Sequence, residues 1–161
     1  MMPEKYSDIK IYNLGAADVS EDKVLNQNIE TSSSSINSLN KKSKYYKKKY
    51  FLLNFGNLKK VTNEINIKVI KLDNFIDDKN LEKIDLLKID TEGYELEVIK
   101  GLKDSILKVS TILFEHHYDN MIVKNYTFGD IHDLLKFNGF RRAYKIKMPF
   151  RKSFDYIYIK E

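Results

Sequence analysis

Five side chains carry the groups that proton transfer and ion binding need. Asp90 and Glu92 stand in the tetrapeptide Asp90-Thr91-Glu92-Gly93, and Glu115, His116 and His117 follow one another further along. Carboxylates and imidazoles exchange protons and ligate divalent ions. Two carboxylates with one or two histidines could bind a metal, but they are spread over two segments rather than set at a ligand spacing, so the expected site holds no metal. The chain has no cysteine, which removes disulfides and thiolate sites. Serine-nucleophile, zinc-finger and phosphate-loop motifs are also missing.

Each group of candidates follows an apolar run. Ile84, Leu86, Leu87 and Ile89 suit a strand covered on both faces. The period then changes, with Leu96, Val98, Ile99 and Leu102 at helical spacing and Gly101 where a C-cap glycine is expected. Between strand and helix, Gly93 allows a sharp turn or a close approach. A second strand runs from Thr111 to Phe114. Strand, helix and strand span about thirty residues, the size of a βαβ unit. If the two strands are parallel neighbours, roughly 5 Å apart, all five candidates emerge at one carboxyl edge, where ligands bind in open α/β sheets. His116 and His117 alternate faces, so at most one points into the cleft.

The stretch LLKIDTEGYELEVIKG closely resembles the signature of the FkbM-type methyltransferases, which use S-adenosylmethionine (SAM) on the class I methyltransferase fold, a Rossmann-like, mostly parallel sheet with a C-terminal antiparallel strand. Asn13 to Asp18 is similar to the family's third-strand exit, Lys71-Leu72-Asp73 to the strand before the signature, and ILFEHH to the fifth strand. The resemblance implies an O-methyltransferase acting on a small molecule or glycan. Methyl transfer needs an aligned acceptor and often a base, which points to Asp90, Glu115 and His117 as catalytic residues and to Asp18, Glu92 and Gly93 as cofactor-binding ones. Each has a structural alternative. Asp18 near an adenine amine competes with the stronger reading of a turn-former, Asp90 with a helix N-cap, and Glu92 with an acid favoured by the helix dipole.

Elsewhere, Ile9, Ile11 and Leu14 pattern as a short strand ending at Gly15. Lys23 to Glu30 is weakly strand-like, and Glu64 to Leu72 alternates with Ile65, Ile67 and Val69 on one face. Asp73 is placed to cap a short helical turn through Phe75 and Ile76. Residues 31–50 form a polar and basic insertion, ending in KKSKYYKKKY. Lysines interleaved with tyrosines could hold phosphates and stack bases, making a noncatalytic nucleic-acid or polyanion binder the rival function; a solvated insertion loop accounts for the same letters and makes nucleic acid the lesser expectation. Thr127 with Asp130 resembles a capping box opening a helix with Phe128, Ile131, Leu134 and Leu135 as its stripe, ended by Gly139. Phe140 to Met148 and Phe154 to Lys160 follow as an antiparallel pair.

With 161 residues, 42% hydrophobic and 12% aromatic, the chain is expected to be one domain with a real core. Its net charge of +5 comes from lysine used throughout rather than from a patterned surface. No apolar run reaches membrane-spanning length, and Met1 to Lys10 lacks a signal-peptide core, so the expectation is a cytoplasmic protein away from membranes.

Nothing upstream of Ile9 resembles the family's first strand with its glycine-rich SAM loop, or its second strand. In the class I order of three, two, one, four, five, seven, six, that leaves the domain partial and the Ile84 strand an edge open to self-association, unless the Ile9 strand or another segment pairs with it. Calorimetric titration with SAM is therefore expected to show no binding tighter than about millimolar, or about 4 kcal/mol. Micromolar binding would place a cofactor loop within these residues after all.

Overall fold

The computed structural model describes residues 8–28, 34–53, 62–149 and 151–161. Its strands are β1 Gly15–Ala17, β2 Glu21–Asn28, β3 Thr62–Lys71, β4 Leu87–Ile89, β5 Thr111–His117, β6 Phe140–Lys147 and β7 Ser153–Lys160. Its helices are α1 Lys44–Leu53, α2 Leu72–Asp78, α3 Glu95–Gly101 and α4 Phe128–Phe137. The class is α/β, as expected, but the described strands form two mixed sheets rather than one mostly parallel sheet. One has the order β1-β3-β2 and the other β4-β5-β7-β6. Parallel pairing joins β1 to β3 and β4 to β5, whereas β2–β3, β5–β7 and β6–β7 are antiparallel. The physical reason is that β2 turns back along β3, and β7 inserts between β5 and β6.

The unit around the candidates forms as read. β4 and β5 are parallel, with Leu87 opposite Ile112 and Ile89 opposite Phe114. The Ile84 run is shorter as a strand than expected. Ile84 makes only an isolated bridge to Val109, and Leu86 is 56% exposed. Within the described residues β5 is β4's sole strand neighbour, so β4 is an edge. The alternating residues of β5 bury Ile112 and Phe114, and Phe114 lies between Tyr156 and Tyr158 of β7 at 5.6 and 5.8 Å. On α4, Thr127 and Asp130 form the complete capping box, while Ile131 and Leu135 are buried. Gly139 then takes a positive φ of 78°.

Four expectations are corrected. Ile9, Ile11 and Leu14 lie outside a strand, Ile11 being 77% exposed; the strand is Gly15–Ala17, where Val69 to Lys71 of β3 supply the ladder. From Lys44 onward the basic segment is a helix, not a loop. Ser43 Oγ accepts from Tyr46 N at 3.0 Å, and Tyr46 buries itself against Met121 and Ile122; a stretch free of glycine and proline that gains one buried anchor can hold a helix. Asp73 does not cap α2, because its carboxylate accepts from Ser105 N and Oγ at 3.3 and 2.7 Å. Gly101 is no left-handed cap: the positive φ falls on Lys103.

Gly101 serves packing instead. A Cβ there would stand 1.9 Å from the Ala17 carbonyl oxygen, so the missing side chain lets α3 seat on β1 and bind the two sheets together. Gly101→Ala must push backbone aside, and overpacking of this kind costs about 1–3 kcal/mol or more. A urea denaturation midpoint well below that of the parent chain is expected. An unchanged midpoint would mean that the contact yields freely.

Candidate functional site

The site begins with the turn between β4 and α3. Glu92 and Gly93 both have positive φ, 50° and 99°. A Cβ on Gly93 would also lie 2.7 Å from Ile122 Cγ2, so both readings of this glycine apply. The turn is held by Glu95, which is 1% exposed. Its Oε1 accepts from Gly93 N at 2.7 Å and Thr91 Oγ1 at 3.2 Å, and its Oε2 accepts from Tyr126 OH. From outside, Ser35 Oγ donates to the Glu92 carbonyl at 2.7 Å, and Asn37 Nδ2 donates to that of Gly93.

Glu92 is thereby aimed at β5. His117 Nε2 lies 3.1 Å from Glu92 Oε2 and 3.5 Å from Glu115 Oε1, pointing squarely at neither, and Nδ1–H donates to Asp119 Oδ2 at 3.4 Å. Asp119 also accepts from Met121 N at 2.9 Å. Burial alone would push the imidazole down. The Asp119 hydrogen bond and the Glu92 and Glu115 carboxylates outweigh it and lift His117 from 6.5 to about 10. His116 has the opposite fate. Burial first, then the charges of Lys124 and His117, push it down to about 3, and its ring packs against Tyr118 and Phe128. The two histidines do face different neighbours, one apolar and neutral, the other acidic and charged.

Asp90, at the end of β4, is more open, with its side chain 49% exposed and Lys88 Nζ at 3.2 Å. It shares a neighbourhood with Glu115 through Asp155, which pairs with Glu115 across β5 and β7. Burial, then the like charges of Glu115 and Asp90, raise the Asp155 carboxyl. Asp18 lies apart from these. It lines a cavity of about 600 Å³ with Lys23, Asn37, Tyr94, Glu97 and Asn125. Burial raises the Glu97 carboxyl, and its Oε2 is buried without a hydrogen-bond partner. The structure therefore joins Glu92, Glu115 and His117 closely, sets Asp90 beside them, and places Asp18 in a separate hollow. Among the described residues no group of three acids or histidines is arranged to hold a metal ion.

Sequence reasoning missed Glu95, Asp119, Lys124, Tyr126 and Asp155. For Asp119 a signal existed: it continues the two-residue spacing of Glu115 and His117, although β5 itself ends at His117. Nothing local distinguishes Glu95 from Glu97. Lys124 is oriented by fold alone, donating to the His117 carbonyl while burial lowers its own pKa.

This arrangement defines an α/β protein with an acidic, histidine-centred site at the carboxyl ends of two parallel strands. The family described as the methyltransferase FkbM domain matches residues 3–142, and the chain belongs to it. It is also 35% identical, over 53 residues, to the hexuronic acid methyltransferase AglP of Haloferax volcanii, a match covering 33% of this chain and 22% of that protein.

Because the folded pKa of His117 lies above the unfolded one, the stability it contributes is complete below about 6.5 and is lost as pH rises through about 10. In an NMR titration its ring protons should keep protonated shifts through neutral pH, and Asp119→Asn should bring the midpoint down. A parent midpoint near 6.5 would mean that the three carboxylates do not hold the charge.

Proposed function

We propose that the protein transfers a methyl group from SAM to an oxygen of a small molecule or glycan. Membership of the FkbM methyltransferase family carries this reading, and the relative named for hexuronic acid makes a sugar acid a reasonable acceptor class. In this proposal the β4-β5-β7-β6 sheet is the corresponding half of a class I methyltransferase sheet. Its order and its antiparallel β7 support that assignment.

The Asp18 hollow fits part of the cofactor. SAM carries amine and hydroxyl donors together with a sulfonium cation, and the hollow presents three carboxylates, Glu21 paired with Lys23, Asp18, and Glu97 with an orphaned oxygen, beside Tyr94. Asp18, Tyr94 and Glu97 would hold it there, with Glu92 and Gly93 shaping the adjoining turn. When bound, SAM supplies an electrophilic methyl group for in-line displacement. The residues at the β4 and β5 exits then do two things. Asp90, with Glu115 nearby, takes the proton from the acceptor hydroxyl, the usual task of a positioned carboxylate. His117, already protonated, fixes Glu92 and Glu115 rather than taking a proton itself.

Asp90→Asn preserves size, so the fold should survive. Transfer from millimolar SAM, read as S-adenosylhomocysteine release, should fall about 100-fold or more. Near-normal turnover would remove Asp90 from the mechanism. Glu115→Gln is the parallel case, and loss of activity only in the double variant would make the two carboxylates redundant bases.

A further inference from the structure

The methyl-transfer reading leaves the basic run unexplained, yet the fold carries its beginning to the site. Asn40 N donates to the Met121 carbonyl at 2.7 Å, Val123 N donates to that of Ser38 at 3.0 Å, and Leu39 bridges to Ile122. At this junction lies a second cavity, of about 310 Å³, whose walls include Lys42, Ser43, Lys44, Tyr118 and Lys152. Asp119 also lines it and bonds directly to His117, so the hollow abuts the acidic cluster.

Its charge is unbalanced. Among the described residues, the ammonium groups of Lys42, Lys44 and Lys152 take part in no ion pair. Among the described residues Asp119 is the one carboxylate in the wall, and it is already committed to His117 and the Met121 N–H. Helix α1 starts here with no acid in its first turn, so its N-terminal dipole adds to the positive potential. A hollow at the lower end of the small-ligand range, with three cations that have no ion-pair partner among the described residues, a hydroxyl and the amides of Asn40 and Asn120, is complementary to a compact polyhydroxylated anion. Although open to solvent, with Lys42, Lys44 and Lys152 exposed, it is too short to track a nucleic-acid backbone, which needs an extended groove.

We infer that this cavity is the acceptor subsite, taking a monosaccharide unit that bears a carboxylate or phosphate, with Lys42, Lys44 and Lys152 as its counter-charges. The inference rests on the methyltransferase reading for the word acceptor, and on the cavity alone for the anion. The lysines are substrate-binding groups, so neutralising them raises KM and leaves kcat little changed.

Binding of D-glucuronate, D-glucose 6-phosphate and D-glucose to the full chain, without SAM, tests this by calorimetry and saturation-transfer NMR. Both anionic sugars should bind, and glucose should bind at least about tenfold more weakly, the difference that an ion pair of 1.4 kcal/mol confers. The K42Q/K44Q/K152Q variant should lose about tenfold in affinity for the anions at unchanged Tm, whereas K42R/K44R/K152R should keep it. Stronger binding of the phosphate ester than of glucuronate would identify phosphate as the preferred anion, and the reverse would identify carboxylate. Equal binding of glucose and glucuronate, indifference to the lysine changes, or displacement of both sugars by a short oligonucleotide with steep salt dependence would overturn the inference. No methyl transfer is read in this experiment. Its failure leaves the methyltransferase reading standing, and intact anion binding in a chain that never transfers methyl groups would sink that reading alone.

Discussion

A buried carboxylate that accepts three hydrogen bonds holds the rest of the site in place. A buried polar side chain without hydrogen-bond partners costs about 1–3 kcal/mol or more, and Glu95 is held in the interior by Gly93 N, Thr91 Oγ1 and Tyr126 OH, which all point at it. Those donors come from the turn and from the segment leading into α4, so one side chain fixes the distance between them. The left-handed conformation of Glu92 follows, because the Gly93 N–H must turn inward to reach Glu95. With the backbone turned that way, the Glu92 carboxylate meets His117.

The charge pattern around His117 extends this constraint. Three carboxylates converge on one imidazole, and each would repel the others without it. The protonated ring is therefore as much a structural ion as a chemical group, comparable to a bound cation held by Glu92, Glu115 and Asp119. His116, one residue away, packs into aromatic surroundings, so alternation turns adjacent positions of one strand toward neighbours that keep one imidazole neutral and the other charged.

Two tight approaches decide how the layers meet. Gly93 lets Ile122 close over the turn, and Gly101 lets α3 lie on the Ala17 carbonyl. The first brings the 119–125 segment, with Asp119 and Lys124, to the site. The second links the β1-β3-β2 sheet to the other sheet, so that the Asp18 hollow opens beside α3.

Much of this was legible in the residues themselves. The β4–α3–β5 unit, the capping box of Thr127 and Asp130, the Gly139 stop and the β6–β7 pair all arise from interactions within a few positions or across a short link, and their signals are periodicity, caps and turn residues. The convergence of Glu92, Glu115 and His117 followed from parallel pairing. Only the tertiary structure decided the rest. Lys44 to Leu53 became a helix because Tyr46 found a distant apolar seat; Glu95 rather than Glu97 became the buried anchor; Gly101 became a contact instead of a cap; and the strands divided between two sheets. Each of these depends on which surfaces meet across long stretches of chain, and a residue's neighbours in sequence carry no record of that meeting.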